Sequence, residues 1–197
     1  MKQLKLTLIA VFAFATVSTV NAQDDNNPWT VGLSVNIIDF NNGDKLVDDY
    51  FGRDDWDVSK FFSRISAGKY LGSGFTLDAA FSMAEITDFG GSTAPVEYNY
   101  FALDVNARYD LNEAFGDTSW FDPYTYAGLG YAYLDGDEKL RGMTFNFGVG
   151  MNFWTGDNFG INYQTGIKTG LGDDIENHFQ HSLGIVFRFG GNSDDSN

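Results

Sequence analysis

From Gly142 to Phe153 the chain alternates without a break. Met143, Phe145, Phe147, Val149, Met151 and Phe153 are large and apolar, whereas Thr144, Asn146, Gly148, Gly150 and Asn152 are small or polar. Period-two alternation predicts a β-strand with one apolar and one polar face. A soluble sandwich strand also alternates, but seldom with side chains so large on one face and so small on the other. A transmembrane barrel strand needs about 9–11 residues, apolar toward lipid and polar toward a narrow lumen. The six apolar residues are therefore an expected lipid-facing row.

The same alternation recurs along the chain. A first strand starts at Thr30, with Val31, Leu33, Val35 and Ile37 on one face and Gly32, Ser34 and Asn36 on the other. A second is expected over Lys60 to Leu71, with Phe61, Ile65, Ala67 and Leu71 outward and Arg64, Ser66, Gly68 and Tyr70 inward. Gly72-Ser73-Gly74 is a tight turn. The third strand follows with Phe75, Leu77, Ala79, Phe81 and Met83 out, and Thr76, Asp78, Ala80, Ser82 and Ala84 in. The fourth, Tyr98 to Tyr109, turns Phe101, Leu103, Val105, Ala107 and Tyr109 outward and Tyr100, Ala102, Asp104, Asn106 and Arg108 inward. The fifth, Pro123 to Leu134, points Thr125, Ala127, Leu129, Tyr131 and Tyr133 out and Tyr126, Gly128, Gly130 and Ala132 in. The strand at Gly142 is the sixth. The seventh, Phe159 to Lys168, sets Ile161, Tyr163, Thr165 and Ile167 against inward Asn162, Gln164, Gly166 and Lys168. The eighth, His178 to Phe189, sets Leu183, Ile185, Phe187 and Phe189 against inward Gln180, Ser182, Gly184 and Arg188.

Eight such strands predict an all-β fold, an eight-stranded antiparallel up-and-down transmembrane β-barrel. Connection lengths give it a direction. Phe40 to Val58 is long and rich in aspartate, Glu85 to Glu97 holds Gly90-Gly91 and Pro95, and Gly170 to Asn177 is acidic. Asp135 to Glu138 is a shorter link on that same side, while Gly72–Gly74 and Thr155–Asn158 are tight turns on the other. Outer-membrane barrels have short periplasmic turns and longer extracellular loops, so the N-terminus is expected in the periplasm. Asp110 to Asp122 is the exception, a long periplasmic connector with room for a helical turn. Aromatics near the strand ends are candidate interfacial girdles. They are Trp29, Tyr70, Phe75, Tyr109, Phe121, Tyr124, Trp154, Phe159 and Phe189 below, and Tyr98, Tyr133 and Phe179 above.

Composition agrees and removes rivals. The 197 residues include 23 Gly, 19 Phe and 10 Tyr but only 3 Pro, which suits aromatic strands with glycines where backbones crowd. There is no Cys, hence no lipoprotein attachment site, disulfide or thiolate metal site. The N-terminus has Lys2 and Lys5, an apolar run from Leu6 to Val17, and Val20-Asn21-Ala22, the pattern of a secretory signal peptide cut after Ala22. The run is too short for a helical anchor of about 20 residues. The expected organisation is a signal peptide over 1–22, a barrel over 23–189 and a polar periplasmic tail over 190–197. The formal net charge of −15 argues against nucleic acid, which wants a basic face.

The chain resembles the OmpA-like family of Gram-negative outer-membrane β-barrels. The likeness is carried by Gly68-Lys69-Tyr70-Leu71-Gly72-Ser73-Gly74-Phe75, by Trp120-Phe121-Asp122-Pro123-Tyr124 and by Gly128-Leu129-Gly130-Tyr131. The run from His178 to Gly191 completes it. The resemblance implies an integral outer-membrane location, surroundings of membrane lipid and lipopolysaccharide, and insertion by the barrel assembly machinery. Phe187 and Phe189 resemble the aromatic end of the strand signal which that machinery reads. Many relatives continue into a peptidoglycan-binding domain; here Gly190 to Asn197 follows the barrel, so cell-wall tethering is not carried over.

Candidate chemistry is thin. The inward Arg64, Asp78, Asp104, Arg108, Gln164, Lys168 and Arg188 admit two readings, a conduction path or an internally paired polar plug. The plug is favoured, because an eight-stranded barrel is just wide enough to be filled by side chains and unpaired buried charge is costly. His178 and His181 point to opposite faces and lack a third ligand, so no metal is expected. Ser182 faces inward with neither His expected on its side of the strand, so no triad forms and neither enzyme activity nor a cofactor is expected. The expected role is structural or surface-interacting, and the sequence leaves any extracellular partner unknown. The alternatives are a narrow porin-like channel and a secreted soluble barrel holding an apolar ligand, the latter requiring the large apolar rows to face inward.

Overall fold

The computed structural model describes residues 27–40, 57–59, 61–87, 97–116, 118, 120–172 and 174–190. Its elements are β1 (Trp29–Asp39), β2 (Asp57–Val58), β3 (Arg64–Gly72), β4 (Phe75–Ile86), β5 (Tyr98–Asp110), α1 (Asn112–Phe115), β6 (Phe121–Asp135), β7 (Lys139–Trp154), β8 (Phe159–Gly170) and β9 (His178–Phe189). Eight of the strands pair antiparallel with their sequence neighbours. β1 then pairs with β9 from Trp29↔Phe189 to Asp39↔Phe179, which closes the barrel. The alternation read from the sequence governs the walls: β4 is exposed and buried by turns along its whole length. No described helix is long and apolar enough to cross a membrane, which says nothing of strands. The expected signal peptide, most of the acidic loop after β1, the Gly90-Gly91 and Pro95 segment and the expected tail after Gly190 lie outside the described residues.

Register fixes how the interior is stacked. Trp29 pairs with Lys69, and the partners then run through Leu77, Ala107, Ala127, Phe147, Ile167 and Phe179 to Asp39. One circuit therefore climbs from Trp29 to Asp39, a stagger of ten residues along β1. With strands about 4.8 Å apart and rising about 3.3 Å per residue, that stagger tilts them by about 40°. Residues from distant strands are thereby brought level inside a bore as narrow as a side chain.

The second strand departs from its expected start at Lys60. Ile37 pairs with Val58 and Ser34 with Arg64, so three steps along β1 face six steps on the other side. The surplus is a β-bulge that re-aims its residues. Ser59 N–H and Ser63 N–H still reach the Asn36 and Ser34 carbonyls, at 3.0 and 2.9 Å. Phe61 and Phe62 are thrown outward, 81% and 60% exposed. At the opposite end Ser73 (φ 52°) and Gly74 (φ 77°) join β3 to β4 as a two-residue turn with both φ positive, the twist-matched hairpin geometry. The connector after β5 carries α1 as its one helical turn.

Candidate functional site in the barrel lumen

Asp104 on β5 is the hub of the middle of the lumen. Lys168 Nζ on β8 stands 2.6 Å from its Oδ1, Arg64 Nη1 on β3 lies 3.4 Å from its Oδ2, and Asn146 Nδ2 on β7 donates to Oδ1 at 3.0 Å. Arg64 also donates to Ser82 Oγ at 2.8 Å, and Gln180 Nε2 reaches Ser82 Oγ and Asn36 Oδ1 at 3.1 and 3.2 Å. Seven strands deliver these groups, each from an inward position of the alternation. Asp78 and Arg108, on adjacent strands, form a second pair at 3.6 Å. Lone buried charges of this kind would be costly; each here has an opposite charge within reach.

Below this layer glycines and tyrosines interlock. A Cβ on Gly150 would lie 2.3 Å from the Tyr124 ring, and one on Gly166 would lie 2.2 Å from the Tyr126 hydroxyl. The bare backbone is the seat on which each ring rests. Tyr124 OH donates to Gln164 Oε1 at 3.1 Å and accepts from Asn162 Nδ2 at 2.9 Å, while the Arg108 guanidinium lies 3.8 Å over its ring. Lower still, the Arg188 guanidinium stacks 4.1 Å over the Trp154 ring and its Nε donates to the Asp157 carbonyl at 2.5 Å. Trp154 Nε1–H donates to Asp122, which also accepts from Asn112 Nδ2 of α1 at 3.1 Å. Arg188 therefore stands apart from the ion pairs around Asp104, with the Tyr124 layer and its Gln164 and Arg108 between them.

The upper lumen is apolar. Ile38, Phe40, Ala84, Ile86, Tyr100, Ala102, Ala132, Leu134 and Ile175 form one buried cluster, with Tyr98 and Leu140 packed against it. Ile175 comes from the connection after β8 and folds inward, in reach of a Cβ on Gly142. His178 closes the cluster from below, its ring stacked on Phe40 at 4.4 Å. Its Nδ1 lies 3.0 Å from the Glu176 carbonyl and its Nε2 lies 3.0 Å from Tyr100 OH. A carbonyl only accepts, so Nδ1 carries the proton and Nε2 accepts from the tyrosine.

The girdle assignment needs correction at five places, one of them Phe179, which is buried. Tyr124 and Trp154 are buried inside the barrel, Tyr70 turns inward with its hydroxyl 3.2 Å from Gly74 N, and Tyr98 packs on the upper cluster. Cross-strand pairs on the outer face make the lower belt instead. They are Phe75 with Tyr109 (4.9 Å), Phe121 with Phe153 (5.2 Å) and Phe159 with Phe187 (5.0 Å), joined by Trp29 and Phe189. In the row of β7, Met143, Phe145, Phe147 and Val149 are exposed on the outside, and Met151 and Phe153 are half-buried there. With the large apolar rows outward, the soluble ligand-holding barrel loses its required interior.

The two histidines lie on opposite faces, His181 outward with its Nδ1 2.7 Å from Thr165 Oγ1. One statement about Ser182 is overturned: His178 shares its lumen face, being four residues away on the same strand. Four residues of strand span about 13 Å, far beyond hydrogen-bond reach. Both ring nitrogens of His178 are already engaged with Glu176 and Tyr100. Among the described residues no group of three or more His, Cys, Asp or Glu is placed to hold a metal.

An up-and-down barrel of eight tilted strands, polar or packed within and apolar without, defines an integral membrane β-barrel. Residues 7–189 match the family described as the outer membrane protein beta-barrel domain, and the chain belongs to that family. It is an integral outer-membrane protein, and the OmpA-like resemblance holds. Solved structures agree on the fold. OprG from Pseudomonas aeruginosa is 10% identical, with 86% of this chain and 97% of that chain covered and a TM-score of 0.56. Neisserial surface protein A is 16% identical, with 82% and 97% covered and a TM-score of 0.55. The N-terminal β-barrel domain of Pseudomonas aeruginosa OprF is 17% identical, with 81% and 97% covered and a TM-score of 0.50. Comparison with curated proteins gives no match.

Proposed function

We propose that the protein is a closed, non-enzymatic outer-membrane barrel with a structural or surface-interacting role. One observation carries this reading: side chains occupy the bore at level after level, three of which would each stop an ion. They are the apolar cluster around Ile86 and Leu134, the ion pairs on Asp104, and the stacked Arg188 and Trp154. An ion crossing the barrel would have to leave water, traverse an apolar layer and break buried pairs, each costly. On this reading Arg64, Asp78, Asp104, Arg108, Gln164, Lys168 and Arg188 serve as filling rather than as a path. The end with both barrel termini and the short turns is periplasmic, and the apolar layer lies toward the cell exterior. Membrane lipid and lipopolysaccharide contact the outer wall, the barrel assembly machinery reads the strand ending in Phe187 and Phe189, and the acidic outer connections meet any extracellular partner. The test is planar-bilayer recording of the refolded protein. Absence of steady single-channel steps is the expected result; a persistent ohmic conductance would overturn the plug and favour a narrow channel.

A further inference from the structure

The periplasmic connector between β5 and β6 is not built like a loop left in water. It is bolted to the barrel: Asp110 N–H donates to the Gly74 carbonyl and Leu111 N–H to the Pro123 carbonyl, both at 2.9 Å. Asn112 N–H donates to Asp110 Oδ1 at 2.8 Å, and its side chain reaches the Phe121 carbonyl at 2.9 Å. The Trp120 carbonyl accepts from Trp154 N–H at 2.8 Å, which fixes Trp120 as a continuation of the β6–β7 pairing. From that position the Trp120 ring packs on Phe121 at 5.6 Å and on Phe153 at 6.0 Å, both members of the outward belt. Yet the ring remains 39% exposed, and Phe115, at the end of α1, is 84% exposed.

We propose that this connector is a membrane-interface anchor, with Trp120 and Phe115 seated in the headgroup region of the periplasmic leaflet. The occupant follows from continuity. Trp120 extends a belt whose other members already face lipid, and an indole with an apolar body and a polar N–H belongs at that depth. Rigid attachment matters as well, since a backbone already fixed loses little further freedom on entering the interface. Glu113 on α1 adds negative charge beside the anchor, so the matching headgroups are zwitterionic rather than anionic. The anchor is an addition to the barrel wall and is independent of whether the lumen conducts.

Depth-dependent fluorescence quenching tests it. The whole protein and its Trp120→Phe variant are refolded into phosphatidylcholine vesicles brominated near the headgroup or deep in the acyl chain, and the difference reports Trp120. A second variant, Phe115→Trp with Trp120→Phe, places the probe on α1, and a gel shift between unboiled and boiled samples confirms folding of each. Shallow bromine should quench both positions more than deep bromine, and aqueous iodide should quench them several-fold less than free tryptophan. Full iodide quenching with no bromine effect at either position would overturn the anchor.

Discussion

Lys168 reaches across the lumen from β8 to Asp104 on β5, Nζ to Oδ1 at 2.6 Å, while Arg64 holds the other oxygen at 3.4 Å. One carboxylate thus serves two cations, and the consequence is an asymmetry between partners. Asp104→Asn leaves both cations buried without their anion and should cost about 3–5 kcal/mol. Lys168→Met leaves Asp104 with Arg64 and Asn146, and should cost about 1.5–3 kcal/mol, the value of a lost charged hydrogen bond. Urea unfolding in lipid vesicles, followed by band migration of unboiled samples, gives both values. Equal losses would mean that Asp104 does not hold the two cations together.

The wall was legible in the sequence and the fill only partly. Alternation alone places Phe145 outside and Asn146 inside, since register cannot slip by one residue without exchanging the faces. Reading Arg64, Asp104 and Lys168 as inward needed nothing more. That they meet depends on the ten-residue stagger, which is set by strand pairing and not by any local pattern. The upper apolar layer did leave a trace. Inward rows turn apolar at their upper ends, as in Ala84 and Ile86 or Ala132 and Leu134, and Ile38 follows Ile37 against the alternation. Tyr124 and Trp154 were misplaced for a related reason: aromatics at a strand end fit a girdle, but their parity points them inward. The bulge at Phe61 and Phe62 carries no Gly or Pro to announce it.

The floor of the lumen makes a graded prediction. Trp154 contributes an indole N–H to Asp122 and a face to Arg188. Trp154→Phe keeps a face but removes the donor, for an expected loss of about 1.5–3 kcal/mol. Trp154→Leu removes both and should lose a further 0.5–2 kcal/mol, roughly the worth of a cation–π contact. The urea midpoints should fall in that order. A Phe variant as stable as the parent would mean that Asp122 finds another donor.

Gly150 and Tyr124 should be coupled. A Cβ at Gly150 meets two Tyr124 ring carbons and its hydroxyl oxygen between 2.3 and 2.7 Å, so Gly150→Ala overpacks the lumen for about 1–3 kcal/mol. With Tyr124→Ala the obstruction is gone and the alanine should cost little. A double-mutant cycle on urea stability should give an interaction energy of about 0.5–3 kcal/mol. Simple additivity would show that Gly150 is not the seat of that ring.

The outer row of β7 distinguishes lipid contact from mere exposure. Phe147 lies midway along the strand and Phe153 at its lower end, beside Phe121 and Trp120. In water an arginine would be tolerated equally well at either place. In a bilayer the cost depends on depth, about 2–4 kcal/mol at the midplane and about 0–1 near the interface. Phe147→Arg should therefore destabilise the barrel strongly and Phe153→Arg weakly, measured by reversible refolding into vesicles. The contrast should vanish on moving the same variants into short-chain detergent micelles, whose apolar core is thinner and admits water to the long side chain more readily. A large and equal loss at both positions in vesicles would point to lost ring packing rather than to the lipid as the source of the penalty.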